Sequence, residues 1–317
     1  MEDKKELVVV ALGGNALLDS KSKGTIEEKE TAASVTAELF LPLLTSDYNL
    51  VITHGNGPQV GNILIQNDEA SAKVPPMPLD VCVAETQGEI GYILQTAIQN
   101  IARDKNIRKS PVTILTQVLV DRYDPAFELP TKPIGPFYTL EKTKQIIKEK
   151  KWKFKEDSAG RGYRHVVPSP KPKLIIQTNV IKRLVEEGYI VISVGGGGIP
   201  VYTGDSGWLL GIEAVIDKDL ASAQLAIDIK ADRLIILTNV DSCYLNFKKE
   251  NQTEIREMNL DEANTYLLQG HFSSGSMGPK VTSAIEFITN TGNEAIITSI
   301  VNLKSALEGR AGTIIHQ

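Results

Sequence analysis

Sulfur is scarce in this 317-residue chain, which has two cysteines, Cys82 and Cys243. Two cysteines are too few for a disulfide framework and suit a reducing compartment. Long apolar runs are missing too, since none approaches the roughly 20 residues that a membrane span requires. The opening residues Met1-Glu2-Asp3-Lys4-Lys5 are charged, unlike the basic stub and apolar core of an export signal. Nor is there a surplus of positive charge. Lys and Arg number 34 against 39 Asp and Glu, a net charge of −5, which disfavours an electrostatic nucleic-acid binder. With 42% hydrophobic residues, a chain of this length can build one large domain or two lobes. The expectation is a soluble cytoplasmic globular protein that partners neither nucleic acid nor membrane.

Missing motifs narrow the chemistry. His54, His165, His271 and His316 are far apart, with no Cys or His at metal-ligand spacing, so no dedicated metal site is expected. Gly55-x-Gly57-x-x-x-Gly61 has the wrong last spacing for a dinucleotide fingerprint, which counts against a Rossmann dehydrogenase. Gly275-Ser276-Met277-Gly278-Pro279-Lys280 is no Walker A loop, because Pro279 precedes the lysine and Val281 follows it. No Gly-x-Ser-x-Gly elbow marks a hydrolase.

What is present alternates. Apolar strands are expected at Leu7–Leu12, Leu50–Thr53, Val112–Val120, Tyr189–Val194, Leu234–Thr238, Glu294–Thr298 and Thr313–Ile315. Helical periodicity marks Ile26–Leu44, a helix opening at Pro58, Val83–Asn106, Val180–Glu187, Leu220–Lys230, Leu260–Leu268, Val281–Thr289 and Leu303–Glu308. Continuous Val/Ile/Leu strands with helices between them indicate an α/β protein whose mostly parallel sheet is covered on both faces. From Asp121 to Pro172 the rhythm breaks. Seven prolines fall there, and seven Lys face two Glu between Glu141 and Lys155. Such residues do not suit a buried parallel sheet. The segment reads as an inserted, protruding subdomain; composition leaves a solvated excursion and a mobile lid equally open.

Three glycine clusters end expected strands: Gly13-Gly14-Asn15, Gly55-Asn56-Gly57-Pro58 and Gly195–Gly198. Ligands of open α/β sheets bind outside the carboxyl ends of the strands, where glycine lets backbone N–H groups approach an anion. A single such turn often serves geometry alone; three on one edge point to a phosphate-bearing substrate. Asp217-Lys218-Asp219 and Lys280 lie near expected helix starts. A cation there opposes the helix dipole unless an anion lies between. Converging lysines suit phosphoryl transfer, whose transition state spreads negative charge.

These stretches together resemble the carbamate kinases of the amino-acid kinase family. The resemblance rests on Ala11–Leu17, Thr53–Gly61, Pro130–Gly135, Gly195–Pro200, Val215–Ser222 and Gly275–Val281, and runs from Val8 to Ile315. Asn239 stands where Asp is expected in many relatives. The resemblance implies a three-layer αβα sandwich around about eight mainly parallel strands. It implies an N-terminal lobe, 1–212, for carbamate or carbamoyl phosphate, carrying the inserted subdomain 121–172, and a C-terminal lobe, 213–317, for ADP or ATP. Lys132 would meet the acyl-phosphate end, Lys218 and Lys280 the transferring phosphoryl group, and Asp219 would orient the lysines. Gly13, Gly14, Asn15, Gly55, Asn56, Gly57, Gly196 and Gly197 would line the phosphate path. The nucleotide would sit among Thr238, Asp241, Tyr244, Ser276, Met277 and Gly278, with Lys218 and Lys280. Mg²⁺ would be carried mainly by the phosphates. A homodimer and an ATP-forming role in arginine catabolism are also implied. The alternatives are another kinase of the family, acting on acetylglutamate or a nucleoside monophosphate, and a nucleotide sensor without turnover. Cys82 reads as an inert buried residue, whereas Cys243, two residues past Asp241, reads as a modifiable thiol near the nucleotide.

Overall fold

The structure is a computed structural model that describes residues 5–13, 24–157, 160–273 and 275–317. Its centre is an eight-stranded sheet. In chain order the strands are β1 (Leu7–Leu12), β2 (Asn49–His54), β3 (Pro111–Thr113), β4 (Ile190–Ile192), β5 (Arg233–Thr238), β6 (Glu257–Asn259), β7 (Ala295–Ser299) and β8 (Thr313–His316). In space the order is β6-β8-β7-β5-β1-β2-β4-β3. From β7 through β3 every neighbouring pair is parallel. β8 runs antiparallel to β7, and β6 pairs parallel with β8.

β1 is buried along its whole length because its alternating side chains enter two different apolar layers. Val9 and Ala11 join one layer with Ala221, Leu225, Ala284 and Phe287, from the helices Lys218–Asp228 and Met277–Thr291. Val8, Val10 and Leu12 join the other with Ala33, Ala37, Ile90, Leu94 and Ile98, from the helices Ile26–Leu39 and Leu79–Asp104. The result is the expected αβα sandwich. Each fully buried Leu, Ile or Phe in these layers contributes about 1.5–3 kcal/mol against the exposed state.

Two expected elements are corrected. The apolar stretch Val112–Val120 is not one strand. Pro111–Thr113 is the edge strand β3, whereas Gln117–Leu119 belongs to a separate four-stranded sheet with Leu174–Ile175, Ile199–Thr203 and Leu209–Gly211. The break falls at Thr116, where Gln87 takes the backbone N–H at 2.8 Å and donates to the carbonyl at 3.1 Å. Likewise Ile26–Leu44 is two helices, Ile26–Leu39 and Leu41–Thr45. Pro42 has no N–H to continue the first helix but fits the opening turn of the second.

Residues between 121 and 172 build an antiparallel sheet of their own, Lys132–Tyr138 against Tyr163–Val167 against Lys153–Glu156, with the helix Leu140–Lys150. This sheet packs on the helix Gly57–Ala70 at a backbone-to-backbone contact. A Cβ on Gly61 would lie 2.0 Å from the Cα of Gly135, which itself has φ +67°. A side chain is excluded by space at Gly61 and disfavoured by the positive φ at Gly135. Lys150 also pairs with Asp68 of that helix. No helix among the described residues is long and apolar enough to cross a membrane.

Candidate active site

A cavity of about 1060 Å³ opens at the carboxyl ends of the four adjacent parallel strands β5, β1, β2 and β4. Gly13 lies just past β1, Gly55 to Pro58 follow β2, Gly196 follows β4, and Leu237 and Thr238 end β5. Strand order reverses at β1, since β2 to β4 lie on one side of it and β5 to β8 on the other. Such a switch point is where open α/β sheets hold ligands.

Three helices start at this cavity: Gly57–Ala70, Lys218–Asp228 and Met277–Thr291. The first and third have no side-chain cap, so their N-terminal N–H groups and dipoles favour an anion. The second is capped by Asp217, whose Oδ1 accepts from the N–H groups of Asp219 at 2.9 Å and Leu220 at 3.4 Å. Between helices, Gly195–Gly197 forms a tight turn with φ +66° at Gly196. A Cβ on Gly196 would lie 2.2 Å from Nδ2 of Asn56, so glycine allows both the turn and its seating on β2's loop.

The charged groups form two ion-paired sets at one helix N-terminus. Asp219 is buried and accepts from Lys218 Nζ at 2.5 Å on one oxygen and from Lys280 Nζ at 2.8 Å on the other. Asp217 Oδ2 accepts from Lys132 Nζ at 2.6 Å. Burial alone would raise Asp219, but Lys218 and Lys280 outweigh it and hold the carboxyl well below the usual carboxylate range. For Asp217 burial again works upward, and Lys132 with Lys218 brings the net shift down. Lys218 lies below the ordinary lysine value through burial first, with Asp219 opposing and the neighbouring Lys280 adding to the drop. Three ammoniums against two carboxylates leave one positive charge in excess. That excess is a preformed berth for an anion.

His54, at the end of β2, is buried and pushed down to about 4 by burial, with Lys218 adding to the effect against the Gly55 carbonyl. It is therefore neutral at pH 7. Its Nδ1 lies 3.1 Å from that carbonyl, and a Cβ on Gly195 would come within 2.4 Å of its Nε2. Asn56, also buried, donates from Nδ2 to Thr86 Oγ1 at 2.8 Å.

Of the residues expected at the site, Gly13, Gly55, Asn56, Gly57, Lys132, Gly196, Lys218, Asp219, Thr238, Ser276, Gly278 and Lys280 all line the cavity. Gly14 and Asn15 lie outside the described residues. Gly197, Asp241, Tyr244, Met277 and Cys243 are not in the lining. Gly197 backs onto Ile216, whose carbonyl oxygen would lie 2.3 Å from an added Cβ. Asp241 is turned to the end of β7, where Ser299 Oγ donates to it at 2.7 Å. Tyr244 packs its ring, tilted by 33°, 5.8 Å from that of Phe247, in the hairpin of Cys243–Leu245 with Thr253–Ile255. Cys243 is 0% exposed, with Sγ 3.7 Å from Sδ of Met277, and burial pushes its thiol up to about 12. The thiol of Cys82 is likewise pushed up by burial, to about 11.

Sequence reasoning passed over Asp217 as a partner of Lys132, and it missed Arg164 and Ser169 in the lining. The Asp-Lys-Asp run invites the reading that both acids serve Lys218. Only backbone geometry separates the capping acid from the bridging one. Lys280 lies inside the first turn of its helix, which begins at Met277 rather than Val281.

Comparison with known proteins follows the same lines. Residues 6–299 match the model of the amino acid kinase family. The chain is 49% identical to a carbamate kinase of Pyrococcus horikoshii, over 97% of this chain and 98% of that one. It superposes with TM-score 0.90 on a carbamate kinase from Giardia lamblia bound to AMP-PNP, at 43% identity and 98% coverage of both chains. A second Giardia lamblia carbamate kinase structure, thiocarbamoylated by disulfiram on a cysteine, superposes with TM-score 0.87 at 42% identity, covering 98% of this chain and 99% of that one.

Proposed function

Because the chain belongs to the amino acid kinase family and, within it, to the carbamate kinases, we propose that its cavity transfers a phosphoryl group reversibly between carbamoyl phosphate and ADP. The observation that carries the reading is the sharing of one buried carboxylate, Asp219, by two lysines that face the same anion-binding edge. An oxygen of the ADP β-phosphate attacks phosphorus, and the bond from phosphorus to the carbamate oxygen breaks. ATP forms, and carbamate leaves to decompose to ammonia and CO2. Negative charge spreads over the transferring group on the way. Lys218 and Lys280, held by Asp219, are placed to receive that charge without reorganising. The glycine turns and helix N-termini supply N–H donors along the phosphate path.

We assign carbamoyl phosphate to the N-terminal lobe, residues 1–212, and the nucleotide to the C-terminal lobe, residues 213–317. The sheet supports this division, since β1 to β4 form one half and β5 to β8 the other. Of the residues expected to hold the nucleotide, Thr238, Ser276 and Gly278, with Lys218 and Lys280, line the cavity. Met277, between the lining residues Ser276 and Gly278, stays in the proposal, as do Asp241 and Tyr244, two and five positions past the lining residue Asn239. Mg²⁺ enters with the nucleotide: both carboxylates in the lining are committed to ammoniums, and no cluster of three His, Cys, Asp or Glu among the described residues is arranged to hold a metal. A homodimer, a cytoplasmic location and ATP formation in arginine catabolism complete the reading. Cys243 is the thiol whose adduct would stop the enzyme. It touches Met277, the first residue of the helix carrying Lys280, and has no free space for a bulky group. The direct test mixes the protein with Mg-ADP and carbamoyl phosphate and measures ATP. Absence of ATP from a folded preparation would remove the proposal.

A further inference from the structure

The turn after β4 carries strained backbone. Val194 has φ +52°, a left-handed conformation that a β-branched residue adopts only when its surroundings enforce it. Gly196, Gly197 and Gly198 follow at φ +66°, +90° and +86°. Gly196 is the residue of this turn that lines the cavity. Two hydrogen bonds are internal to the turn, from the Gly197 N–H to the Val194 carbonyl at 3.1 Å and from the Gly198 N–H to the Gly195 carbonyl at 3.0 Å. They set its shape but not its place beside the cavity.

Its place is set from the helix Leu79–Asp104, none of whose residues lines the cavity. Gln87 of that helix is 1% exposed. Its Nε2 donates to the Gly195 carbonyl at 3.0 Å and to the Thr116 carbonyl at 3.1 Å, while its Oε1 accepts from the Thr116 N–H at 2.8 Å. Thr116 in turn takes the Val194 N–H on Oγ1 at 3.0 Å and donates that hydroxyl to the Ile114 carbonyl at 2.8 Å. The strained start of the turn is therefore held at Val194 and at Gly195 by one connected set of buried bonds. The residue before Gln87, Thr86, accepts from Asn56 Nδ2, so adjacent positions of one helix fix both the loop after β2 and the turn after β4.

We propose that Gln87 is a positioning residue for phosphoryl transfer: through the Gly195 carbonyl and Thr116 it holds the turn after β4 so that Gly196 meets the carbamoyl phosphate side of the cavity. The inference rests on the phosphoryl-transfer reading above. Gln87 acts through the turn and not on the substrate. The task needs two donors and an acceptor on one planar group, which an amide supplies and which neither a carboxylate nor a thioether does. A fully bonded buried amide is rigid, so the turn it holds is in place before charge develops in the cavity. Misplacement of about 1 Å caused from outside the reacting centre can cost about 10²-fold in rate.

The experiment compares the parent with Gln87→Met and Gln87→Glu, each first checked for folding by circular dichroism. Met keeps the length of the side chain without its polar groups; Glu, when ionised, keeps the acceptor for the Thr116 N–H and loses both donors. Steady-state ATP formation is measured with either substrate varied. Both variants should lower kcat/KM for carbamoyl phosphate by about 10- to 100-fold, with the KM for ADP unmoved. Ile98→Val removes one core methyl group from the same helix; it reports a loss of stability alone and should keep parent-like constants. If neither Gln87 variant folds, Thr116 tests the same link from its other end. Thr116→Val removes the acceptor of the Val194 N–H and should show the loss, whereas Thr116→Ser keeps it and should not. Parent-like kcat/KM for carbamoyl phosphate in a folded Gln87 variant would overturn the proposal. So would equal losses for both substrates, a matching loss in Ile98→Val, or Thr116→Val as active as Thr116→Ser. A parent that makes no ATP from carbamoyl phosphate would instead remove the underlying reading, a result visible before any variant is made.

Discussion

Asp219→Asn is the substitution for which the geometry gives the sharpest expectation. The amide keeps the size of the carboxylate and removes the one charge that Lys218 and Lys280 share at 2.5 and 2.8 Å. Breaking a buried ion pair by removing one partner costs about 3–5 kcal/mol. Here two ammoniums lose their anion, yet both border a cavity that water can fill, with 12% and 10% of their side chains exposed. A cost of about 2–3 kcal/mol is therefore expected after discounting for solvent. At about 2.1 cal/mol/K of unfolding entropy per residue, a chain of this length should lose about 3–5 °C in Tm. Excess phosphate should stabilise the variant more than the parent, because the anion replaces the lost counter-charge. The pH dependence has a definite sign. Asp219 titrates far below its unfolded value, so its stabilisation is present above that value and lost as pH falls. The Tm gap between parent and variant should be steady at neutral pH and shrink below about pH 4, the ordinary carboxylate range. Thermal melts across pH, with and without phosphate, make the measurement. An unchanged Tm at pH 7, or a gap that does not shrink in acid, would refute the argument that Asp219 holds the lysine pair.

Three further outcomes are expected. Lys280→Ala should reduce ATP formation by roughly 10²-fold or more, while a melting curve shows little loss because Asp219 keeps Lys218 as its partner. Asp217→Asn should keep the helix cap, since Asn and Asp cap about equally well, but should release Lys132; equal Tm with a lower kcat/KM for carbamoyl phosphate is the pattern to look for. Cys243→Ala should keep most activity and resist a thiol reagent that slowly inhibits the parent, the slowness reflecting a buried thiol pushed up to about 12; protection by Cys82→Ala instead would move the assignment.

Much of the fold was legible because the central strands are buried on both faces. Val8 to Leu12 and Leu234 to Leu237 read as unbroken apolar runs, and a run of that kind has few alternatives to a covered parallel strand. Where the reading slipped, a polar tertiary contact had overridden an apolar pattern. Nothing local in Val112–Val120 reveals that Gln87, on a helix some thirty residues earlier, clamps Thr116 and sends the chain into a second sheet. The glycines were informative for two different reasons that the letters alone do not separate. Gly55 and Gly57 border the cavity, whereas Gly61 and Gly135 allow two backbones to touch.

At the site, the sequence announced residue types and left their division of labour open. Asp217, Lys218 and Asp219 are consecutive, yet the helix that begins at Lys218 points the two acids along different paths. Asp217 stays outside the first turn, where one oxygen caps the helix and the other reaches Lys132, 85 positions away in sequence. Asp219, one step into the helix, turns inward and meets Lys280 from a different helix, 61 positions away. Each acid therefore links Lys218's helix to a separate region of the chain, one to the 121–172 segment and one to the helix Met277–Thr291. A ligand that draws any of these lysines toward itself acts on both links through one helix N-terminus. That coupling is why charge-removing Asp→Asn substitutions at 217 and 219, two residues apart, should give different phenotypes: at 217 the loss falls on use of carbamoyl phosphate, and at 219 on the stability of the lysine pair itself.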